Sequence, residues 1–308
     1  MGSNTSLENC IKATRETIIQ PVPRNPNNVC RSSNKLYNLL IAPIANELPQ
    51  DPNAHVVFIP QDSLFLVPFA ALQDPEGHYL IEKHTILTAP AIQVLDTTHK
   101  RRQQVPGKAT QVLIAGNPTM PTLPGKSEAL SPLPNAKTEA EAIATIFGTQ
   151  PLIGNQATKA AILPQLSQAR IIHLATHGIL DDQNGIGSSI ALAPSAGDNG
   201  FLTAEEIFGL KLNAELVVLS ACKTGQGRIT GDGVIGLSRS IISAGVPSVI
   251  VSLWSVPDAP TADLMTEFYQ QMQQNPDKAQ ALRQAMLKTM AQHPKPKDWA
   301  AFTLIGEP

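Results

Sequence analysis

Short apolar runs alternate with segments of helical periodicity through the larger, C-terminal part of the chain. The apolar runs, each long enough for one buried strand, are residues 112–116, 151–154, 171–175, 215–221, 248–254 and 302–306. Helices are predicted from a capping box at Thr138 and Glu141, from about Thr158, over residues 234–245, and twice between residues 260 and 292. Buried strands joined by helices predict an α/β fold with a mainly parallel sheet flanked by helices.

The start of the chain departs from this pattern. One short helix is compatible with residues 7–20, but residues 21–29 (PVPRNPNNV) combine prolines and asparagines that interrupt periodic structure. Residues 1–34 are therefore predicted to form an N-terminal arm or linker.

A small N-terminal α+β subdomain is predicted over residues 35–105. A helical pattern begins at Lys35, and the apolar runs at residues 55–60 and 64–72 are typical of two strands with a tight turn between them. Residues 74–90 predict a further turn and strand pair. The mixture of one helix with short strands sets this part apart from the regular alternation that follows.

The composition becomes polar and basic around residues 99–111, which predicts an exposed connector. Residues 106–308 then form the larger predicted domain. The chain has 308 residues, of which 42% are hydrophobic and 16% charged, so it is long and apolar enough to bury a sizeable core.

Charge and composition exclude several classes of partner. The formal net charge is -2, and no basic stretch is interleaved with aromatic residues, which argues against a nucleic-acid-binding protein. No apolar run approaches the roughly 20 residues that span a bilayer. We expect a protein, peptide or small-molecule partner, with no nucleic acid and no membrane.

The cysteines and the metal-binding motifs bear on disulfides, metal sites and location. Cys10, Cys30 and Cys222 are an odd number without CxxC spacing, so neither a disulfide framework nor a zinc site is predicted. The start of the chain lacks the regions of a signal peptide, and a reducing cytoplasm is the expected location. No P-loop, HExxH or EF-hand spacing is present, so we expect no metal and no cofactor.

Two reactive side chains follow apolar runs: His177 in LATHG and Cys222 in LSACKTG. In open parallel sheets the ligand crevice lies beyond the carboxyl ends of the strands, so both would reach one crevice if their strands are neighbours. A thiol attacks only as the thiolate, and a nearby imidazole can take its proton. The alternative is that each is an ordinary structural residue at a strand end.

Acyl transfer also needs hydrogen-bond donors for the oxygen that becomes negative. The backbone N–H groups of Gly178 and Cys222 are the candidates for this oxyanion hole. His173 is a weaker candidate base, because strand alternation places it inside the sheet or against a helix.

Four blocks of sequence resemble a known family: ATHG (175–178), residues 198–227, residues 231–256 and DWAAFTLIG (298–306). Together they are similar to the CHAT protease domain of the caspase and separase clan, and the resemblance runs over about residues 36–306. The spacing of 45 residues between His177 and Cys222 is close to the interval of about 50 in caspases.

This resemblance implies a caspase-like fold behind an N-terminal subdomain that looks like an inactive protease. It also implies that the chain is a cysteine endopeptidase whose catalytic dyad is His177 and Cys222. Members of this family commonly carry helical repeats that control them, so a regulatory protein or a helical-repeat partner is expected. The chain has no such repeat of its own.

The loop after the strand next to the nucleophile often lines the S1 pocket in this clan. The resemblance therefore makes Asp258 the first candidate for an S1 carboxylate that selects Arg or Lys at P1, and Asp232 the second. Both positions have a structural alternative, since Asp258 can cap a helix and Asp232 can belong to a glycine-rich turn.

Polar, glycine-rich segments flank the expected site. Residues 181–200 predict a mobile loop or hairpin that can act as a lid. Self-cleavage is a further hypothesis, with Lys223, Arg228 and the basic residues 100–102 as the candidate positions.

Two other functions remain open. The domain can be a catalytically silent scaffold that keeps the caspase-like fold and binds protein partners. A serine hydrolase that uses Ser238 is the other alternative, but GLSRS lacks the second glycine of the G-x-S-x-G elbow and lies in a helical pattern.

Overall fold

The structure of the chain, a computed structural model, describes residues 2–20, 33–105, 107, 109–181, 187–223, 231–254 and 258–308. Within these ranges the side chains of residues 2–6, 221–223, 231–235 and 258 are not described. The predictions for Arg228 and Cys30, and for residues 182–186 of the lid segment, fall outside the described residues.

Within the described residues, ten strands form one sheet in the order β1-β2-β10-β9-β8-β5-β3-β4, with β6 paired to β5 and β7 to β6. The strands are β1 His55–Phe58, β2 Thr85–Thr88, β3 Gln111–Pro118, β4 Leu152–Gly154, β5 Ala169–Ile179, β6 Ser189–Ala191, β7 Phe201–Thr203, β8 Leu216–Lys223, β9 Ser248–Ser252 and β10 Phe302–Gly306. Six strand pairs of the sheet are parallel and three are antiparallel. The predicted fold, an α/β protein with a mainly parallel sheet, is confirmed.

Helices connect these strands and cover the sheet. They are α1 Gly2–Ile19, α2 Ser33–Leu40, α3 Leu80–Lys83, α4 Ile92–Gln104, α5 Pro134–Phe147, α6 Lys159–Leu166, α7 Ala204–Phe208, α8 Gly231–Ser243, α9 Asp258–Gln274, α10 Lys278–Gln292 and α11 Pro296–Trp299. Thr158 caps α6, as the pattern predicts, and its hydroxyl accepts a hydrogen bond from the N–H of Ala161.

Strand alternation divides the core into two layers. On one face Ile171, Leu216 and Val218 pack against residues of α5, α9 and α10. On the other face Ile172 and Leu174 pack against residues of α6, α7 and α8. Because successive strand residues point to opposite faces, runs without polar alternation are what a sheet covered on both sides requires.

The strands of the predicted N-terminal subdomain extend this same sheet. β1 and β2 are parallel to each other, and β2 pairs with β10, which runs antiparallel to β9. The sheet therefore contains two blocks of opposite direction, and the carboxyl ends of β3, β5, β8 and β9 lie at one edge. The division into segments 1–34, 35–105 and 106–308 stays a prediction.

The strand predicted at residues 64–72 is wrong. Residues 64–72 contain parts of two 3₁₀ helices, Asp62–Leu66 and Phe69–Ala71, and no strand. Their apolar side chains enter a separate core cluster with Leu36 and Leu80. A short apolar run fits a strand and a buried helical turn equally well, so periodicity could not decide between them.

The helix that is compatible with residues 7–20 is present as α1, which begins at Gly2. α1 buries Cys10 and Ile11, and Cys10 is disulfide-bonded, which corrects the prediction that the cysteines form no such bond. The buried Arg15 donates to the carbonyls of Leu66 and Leu253 at 3.2 and 2.6 Å, and burial lowers the pKa of its guanidinium to about 10. Long-range bonds of this kind fix α1 to the body of the protein.

The predicted connector at residues 99–111 is helical in its first half, since α4 extends to Gln104. Its basic residues form the exposed surface of that helix. Among the described residues, no helix is both long and apolar enough to cross a membrane.

Candidate active site

The two reactive residues lie on adjacent strands. β5 and β8 are parallel neighbours, and their ladder pairs His177 with Cys222 in direct register. The pairs Thr176 with Ala221 and Gly178 with Lys223 flank it. Both positions are at the carboxyl ends of their strands, which is where ligands bind in open parallel sheets.

The His177 ring is oriented by a backbone carbonyl. Its Nε2 lies 2.7 Å from the carbonyl oxygen of Ser131, and the side chain is 0% exposed. A carbonyl can only accept, so Nε2 carries the hydrogen and donates it. In the neutral imidazole this tautomer makes Nδ1 the nitrogen that can accept a proton.

Ser131 belongs to the segment between β3 and α5. The predicted capping box at Thr138 and Glu141 is wrong as a helix start, because α5 begins four residues earlier, with Pro134 at its first position. Proline is favoured there because its fixed φ suits a first helical turn. The helix start therefore comes close to the residue that holds the His177 ring.

His173 takes part in a different, closed network. Its Nε2 lies 3.0 Å from Oε1 of Glu139 on α5, and its Nδ1 lies 3.1 Å from the hydroxyl of Tyr269 on α9. All three side chains are buried. Burial, with a smaller contribution from Glu139, raises the pKa of Tyr269 well above its usual value. The network joins β5 to two helices, and it fits the expectation that His173 lies against a helix.

The candidate oxyanion donors lie at the end of the β5 and β8 ladder. Gly178 has a strand neighbour on each side, Lys223 in β8 and Ile190 in β6. The N–H of Gly178 can donate to an oxyanion only if it makes no hydrogen bond to β6 or to β8. Cys222, the other candidate, is the second-last residue of β8.

The candidate S1 residues belong to helix starts. Asp232 is the second residue of α8, and Asp258 is the first residue of α9. Their side chains are outside the described set. At a helix N-terminus a carboxylate is favoured by the helix dipole, so both positions have a structural reason to be acidic.

Part of the predicted lid is paired to the sheet. Part of residues 181–200 forms β6, which pairs with β5 directly after His177 through Gly178 and Ile190. Lys159, the first residue of α6, contacts this segment with its Nζ 3.0 Å from Asp198, and the same Nζ lies 2.8 Å from Glu206 of α7. A lone lysine opposite two acidic residues gives no signal in the sequence, because tertiary packing decides the contact.

Other predicted candidates are settled by secondary structure. Ser238 lies inside α8 and is 0% exposed, so it does not occupy the strand-to-helix elbow of a serine hydrolase. Residues 100–102 lie in α4. In the part of the chain that the structure describes, no group of three His, Cys, Asp or Glu residues could hold a metal ion.

Comparison with known proteins identifies the family. The family model of the CHAT domain matches residues 31–307. Tetratricopeptide repeat protein 28 from mouse (Mus musculus) is 29% identical over 92% of this chain, and the human (Homo sapiens) protein is 29% identical over 99%. The chain spans only 14% of the length of each of these relatives.

Solved structures share the fold at low sequence identity. The Saccharomyces cerevisiae separase–securin complex matches with a TM-score of 0.56 and 17% identity over 83% of this chain and 15% of that chain. The Arg-specific cysteine proteinase gingipain R (RgpB) of Porphyromonas gingivalis matches with a TM-score of 0.53 and 12% identity over 99% of this chain and 74% of that chain. The chain belongs to the CHAT domain family, and its fold is that of the caspase-like cysteine peptidases separase and gingipain.

Proposed function

We propose that this chain is a cysteine endopeptidase in which Cys222 is the nucleophile and His177 its general base. The observation that carries the proposal is the ladder register, in which the two residues oppose each other at the carboxyl ends of neighbouring strands. Register partners in a parallel sheet share a face, and the strands are about 4.8 Å apart. A thiol at position 222 is therefore expected beside the imidazole.

The tautomer of His177 supports a proton path. With Nε2–H donated to the Ser131 carbonyl at 2.7 Å, Nδ1 takes the proton of the Cys222 thiol. The thiolate adds to the substrate carbonyl, and the imidazolium then gives its proton to the leaving amine as the C–N bond breaks. Water hydrolyses the resulting thioester and releases the second product. Throughout, the Ser131 carbonyl stabilises the imidazolium by a charge-assisted hydrogen bond.

The oxyanion of each tetrahedral intermediate needs donors near the nucleophile. We assign the backbone N–H groups of Cys222 and Gly178 to this role, because both residues are at the register pair or directly beside it. Glycine at position 178 has no side chain that could block its amide.

The substrate is proposed to be a protein cut after Arg or Lys, with Asp258 as the S1 carboxylate and Asp232 as the alternative. Support comes from the position of Asp258, which starts α9 shortly after β9, the strand next to that of Cys222. A carboxylate there can bind a P1 guanidinium through paired hydrogen bonds. Gingipain R, which shares the fold, is itself an Arg-specific proteinase.

Hydrolysis of a peptide library varied at P1 tests this function. The wild type is expected to cleave and to prefer Arg or Lys, Cys222→Ala to be inactive, and Asp258→Ala to lose the preference while Asp232→Ala keeps it. Cleavage by Cys222→Ala would contradict the mechanism. Cleavage with an unchanged P1 profile in Asp258→Ala would contradict only the S1 assignment.

Self-processing is a separate part of the proposal, at Lys223, at Arg228 or in residues 100–102. The helical conformation of residues 100–102 in α4 argues against that position, because a peptidase needs extended backbone. Intact masses of the wild type and Cys222→Ala decide the matter. Masses that differ only by the sulfur atom lost in Cys222→Ala, after prolonged incubation, would exclude self-cleavage.

A second candidate function is a catalytically silent scaffold that binds protein partners. The burial of His177, at 0% exposure, favours it, because a substrate cannot reach a covered imidazole. Under the peptidase proposal, a regulatory protein or helical-repeat partner uncovers the site. The relatives named tetratricopeptide repeat protein 28 are much longer than this chain, which is consistent with control by additional segments.

The proposed location is the cytoplasm. The disulfide of Cys10 bears directly on this, since disulfides rarely persist in the cytosol. If the location is the cytoplasm, the disulfide of Cys10 is reduced there, and alkylation of the chain in a cytosolic extract, followed by intact mass measurement, is expected to modify all three cysteines. A form with two protected cysteines would contradict the proposed location.

A further inference from the structure

Asn117 connects the end of β3 to the segment that holds the His177 ring. We propose that Asn117 is a positioning residue, which fixes the Ser131 carbonyl and thereby the tautomer and orientation of His177. The inference rests on the proposed function, in which His177 is the base. It adds a residue that touches neither the substrate nor the reacting atoms.

The first step is the anchoring of the segment around Ser131. Oδ1 of Asn117 accepts a hydrogen bond of 2.8 Å from the N–H of Leu133. Leu133 lies between Pro132 and Pro134, and proline has no N–H. The N–H of Leu133 is therefore the only backbone donor of this tripeptide, and Asn117 takes it.

The second step concerns the other side of Ser131. The N–H of Leu130 donates to the carbonyl of Pro121 at 3.0 Å, which anchors the chain before Ser131. Two hydrogen bonds thus flank the carbonyl that accepts from His177. The bond to Asn117 is the one that uses a side chain, so a single substitution can remove it without altering the rest of the segment.

The backbone of Asn117 is unusual in the same place. Its φ is +43°, in the left-handed region that residues other than Asn, Asp and Gly rarely adopt. Only one other non-glycine residue of the described chain, Asp62, has a positive φ. Asparagine meets both requirements of the position, since it tolerates the left-handed backbone and supplies an acceptor.

The chemical consequence follows from the tautomer. When the segment loses its anchor, the Ser131 carbonyl no longer selects the Nε2–H form of His177. A part of the molecules then presents a protonated Nδ1 to Cys222, and that form cannot accept the thiol proton. The effect is a lower rate of the chemical step and a higher pKa of the thiol, with substrate binding unchanged.

Two variants separate the acceptor from the backbone conformation. Asn117→Gly keeps the left-handed backbone and removes the acceptor, whereas Asn117→Asp keeps both. We measure the ¹⁵N shifts of the His177 ring, the pH dependence of Cys222 alkylation by iodoacetamide, and kcat and KM on the best library peptide. Alkylation of Cys222→Ala is subtracted to remove the signal of the other two cysteines.

Asn117→Gly is expected to reduce the Nε2–H population and to move the alkylation pKa towards the free thiol value of about 8.5. It should lower kcat by about tenfold to a hundredfold, as small misplacements of catalytic groups do, with KM unchanged. Asn117→Asp is expected to restore the tautomer and most of the rate. If Asn117→Gly does not fold, Asn117→Ala replaces it, with Asp62→Ala as the control for the strain of an alanine at a left-handed position.

The outcomes are distinguishable through His177→Ala. If His177→Ala leaves the alkylation profile of Cys222 unchanged, the proposed function fails. If His177→Ala raises the thiol pKa but Asn117→Gly behaves as the wild type, the positioning role is overturned and the dyad stands. Equal losses in Asn117→Gly and Asn117→Asp would also overturn it, because the acceptor would then not be the cause.

Discussion

Gly116 in β3 lies so close to α5 that a side chain does not fit, and its substitution tests how the Ser131 segment is positioned. A Cβ at position 116 would lie 2.3 Å from the carbonyl oxygen of Ala136 and 2.5 Å from Cβ of Ala140, both in α5. Neither contact can be relieved by rotating a side chain. Gly116→Ala must therefore move the helix or the strand.

The size of the movement follows from these distances. Non-bonded carbon atoms prefer about 3.5–4.0 Å, so α5 must withdraw by about 1 Å. The same displacement of Ser131 would stretch its 2.7 Å bond to His177 to about 3.7 Å, beyond hydrogen-bonding distance. Overpacking of this kind costs about 1–3 kcal/mol of unfolding free energy. For a domain of 150–250 residues, each kcal/mol lowers the Tm by about 2–4 °C.

Thermal unfolding and peptide hydrolysis together measure both effects. Gly209→Ala is the matched control, because its φ is -77° and its added Cβ would meet only Glu206 O at 3.6 Å. Gly116→Ala is expected to lower the Tm and to lower kcat/KM by about a hundredfold in the fraction that is folded. A Gly116→Ala protein with the Tm and activity of the control would refute the claim that α5 sets the position of Ser131.

Two further substitutions test the ion pairs of Lys159 and the hydrogen bond between Glu139 and His173. Lys159→Met is expected to cost about 1 kcal/mol at pH 7, because its partly exposed pairs with Asp198 and Glu206 are lost. Burial alone would raise the pKa of both carboxyls, but hydrogen bonds from backbone N–H groups and from Lys159 outweigh it and leave both lowered. Their stabilisation is therefore present above the unfolded pKa values of about 4 and lost as the pH falls through the lower folded values. Urea unfolding should show the Lys159→Met penalty shrink towards pH 3, and a constant penalty would contradict the ion-pair assignment. Glu139→Ala is expected to cost about 1–3 kcal/mol, because it leaves a buried ring nitrogen of His173 without its hydrogen-bond partner, whereas Glu139→Gln keeps an acceptor and should cost clearly less. Equal losses of unfolding free energy in the two variants would show that the acceptor is unimportant.

The sheet was largely predictable because its strands are buried on both faces. Runs such as residues 171–175 have no polar alternation, and helical periodicity separates them, so strand and helix types follow directly. The expected proximity of His177 and Cys222 depended on their strands being neighbours, and the register bears out this adjacency. Their catalytic role stays a prediction.

The N-terminal third was less predictable because its short apolar segments have no strong period. Residues 64–72 fill a satellite core as 3₁₀ turns, and α1 is fixed by the bonds of Arg15 to distant carbonyls. Such contacts join residues far apart in the sequence, so no local pattern announces them. The basic residues of α4 predict a connector and not a helix for a different reason, since an exposed helix and a polar loop have similar compositions.

The supporting parts of the site were also hidden from the sequence. Ser131 contacts His177 through a backbone carbonyl, which every residue has, and the left-handed conformation of Asn117 is visible only in the structure. Strand alternation did predict that His173 is internal. It gave no sign of the partners Glu139 and Tyr269, which come from helices elsewhere in the chain.

The pairing of Cys222 with His177 is tested most directly by labelling with a peptidyl chloromethyl ketone that carries Arg at P1, followed by peptide mapping. We expect one adduct, on Cys222, in the wild type. At pH 7 the reaction of His177→Ala is expected to be at least tenfold slower, because the thiolate then has no imidazolium beside it. Labelling of Cys222 at the same rate in both proteins, or no preference for Cys222 over Cys10 and Cys30, would contradict the proposed pair.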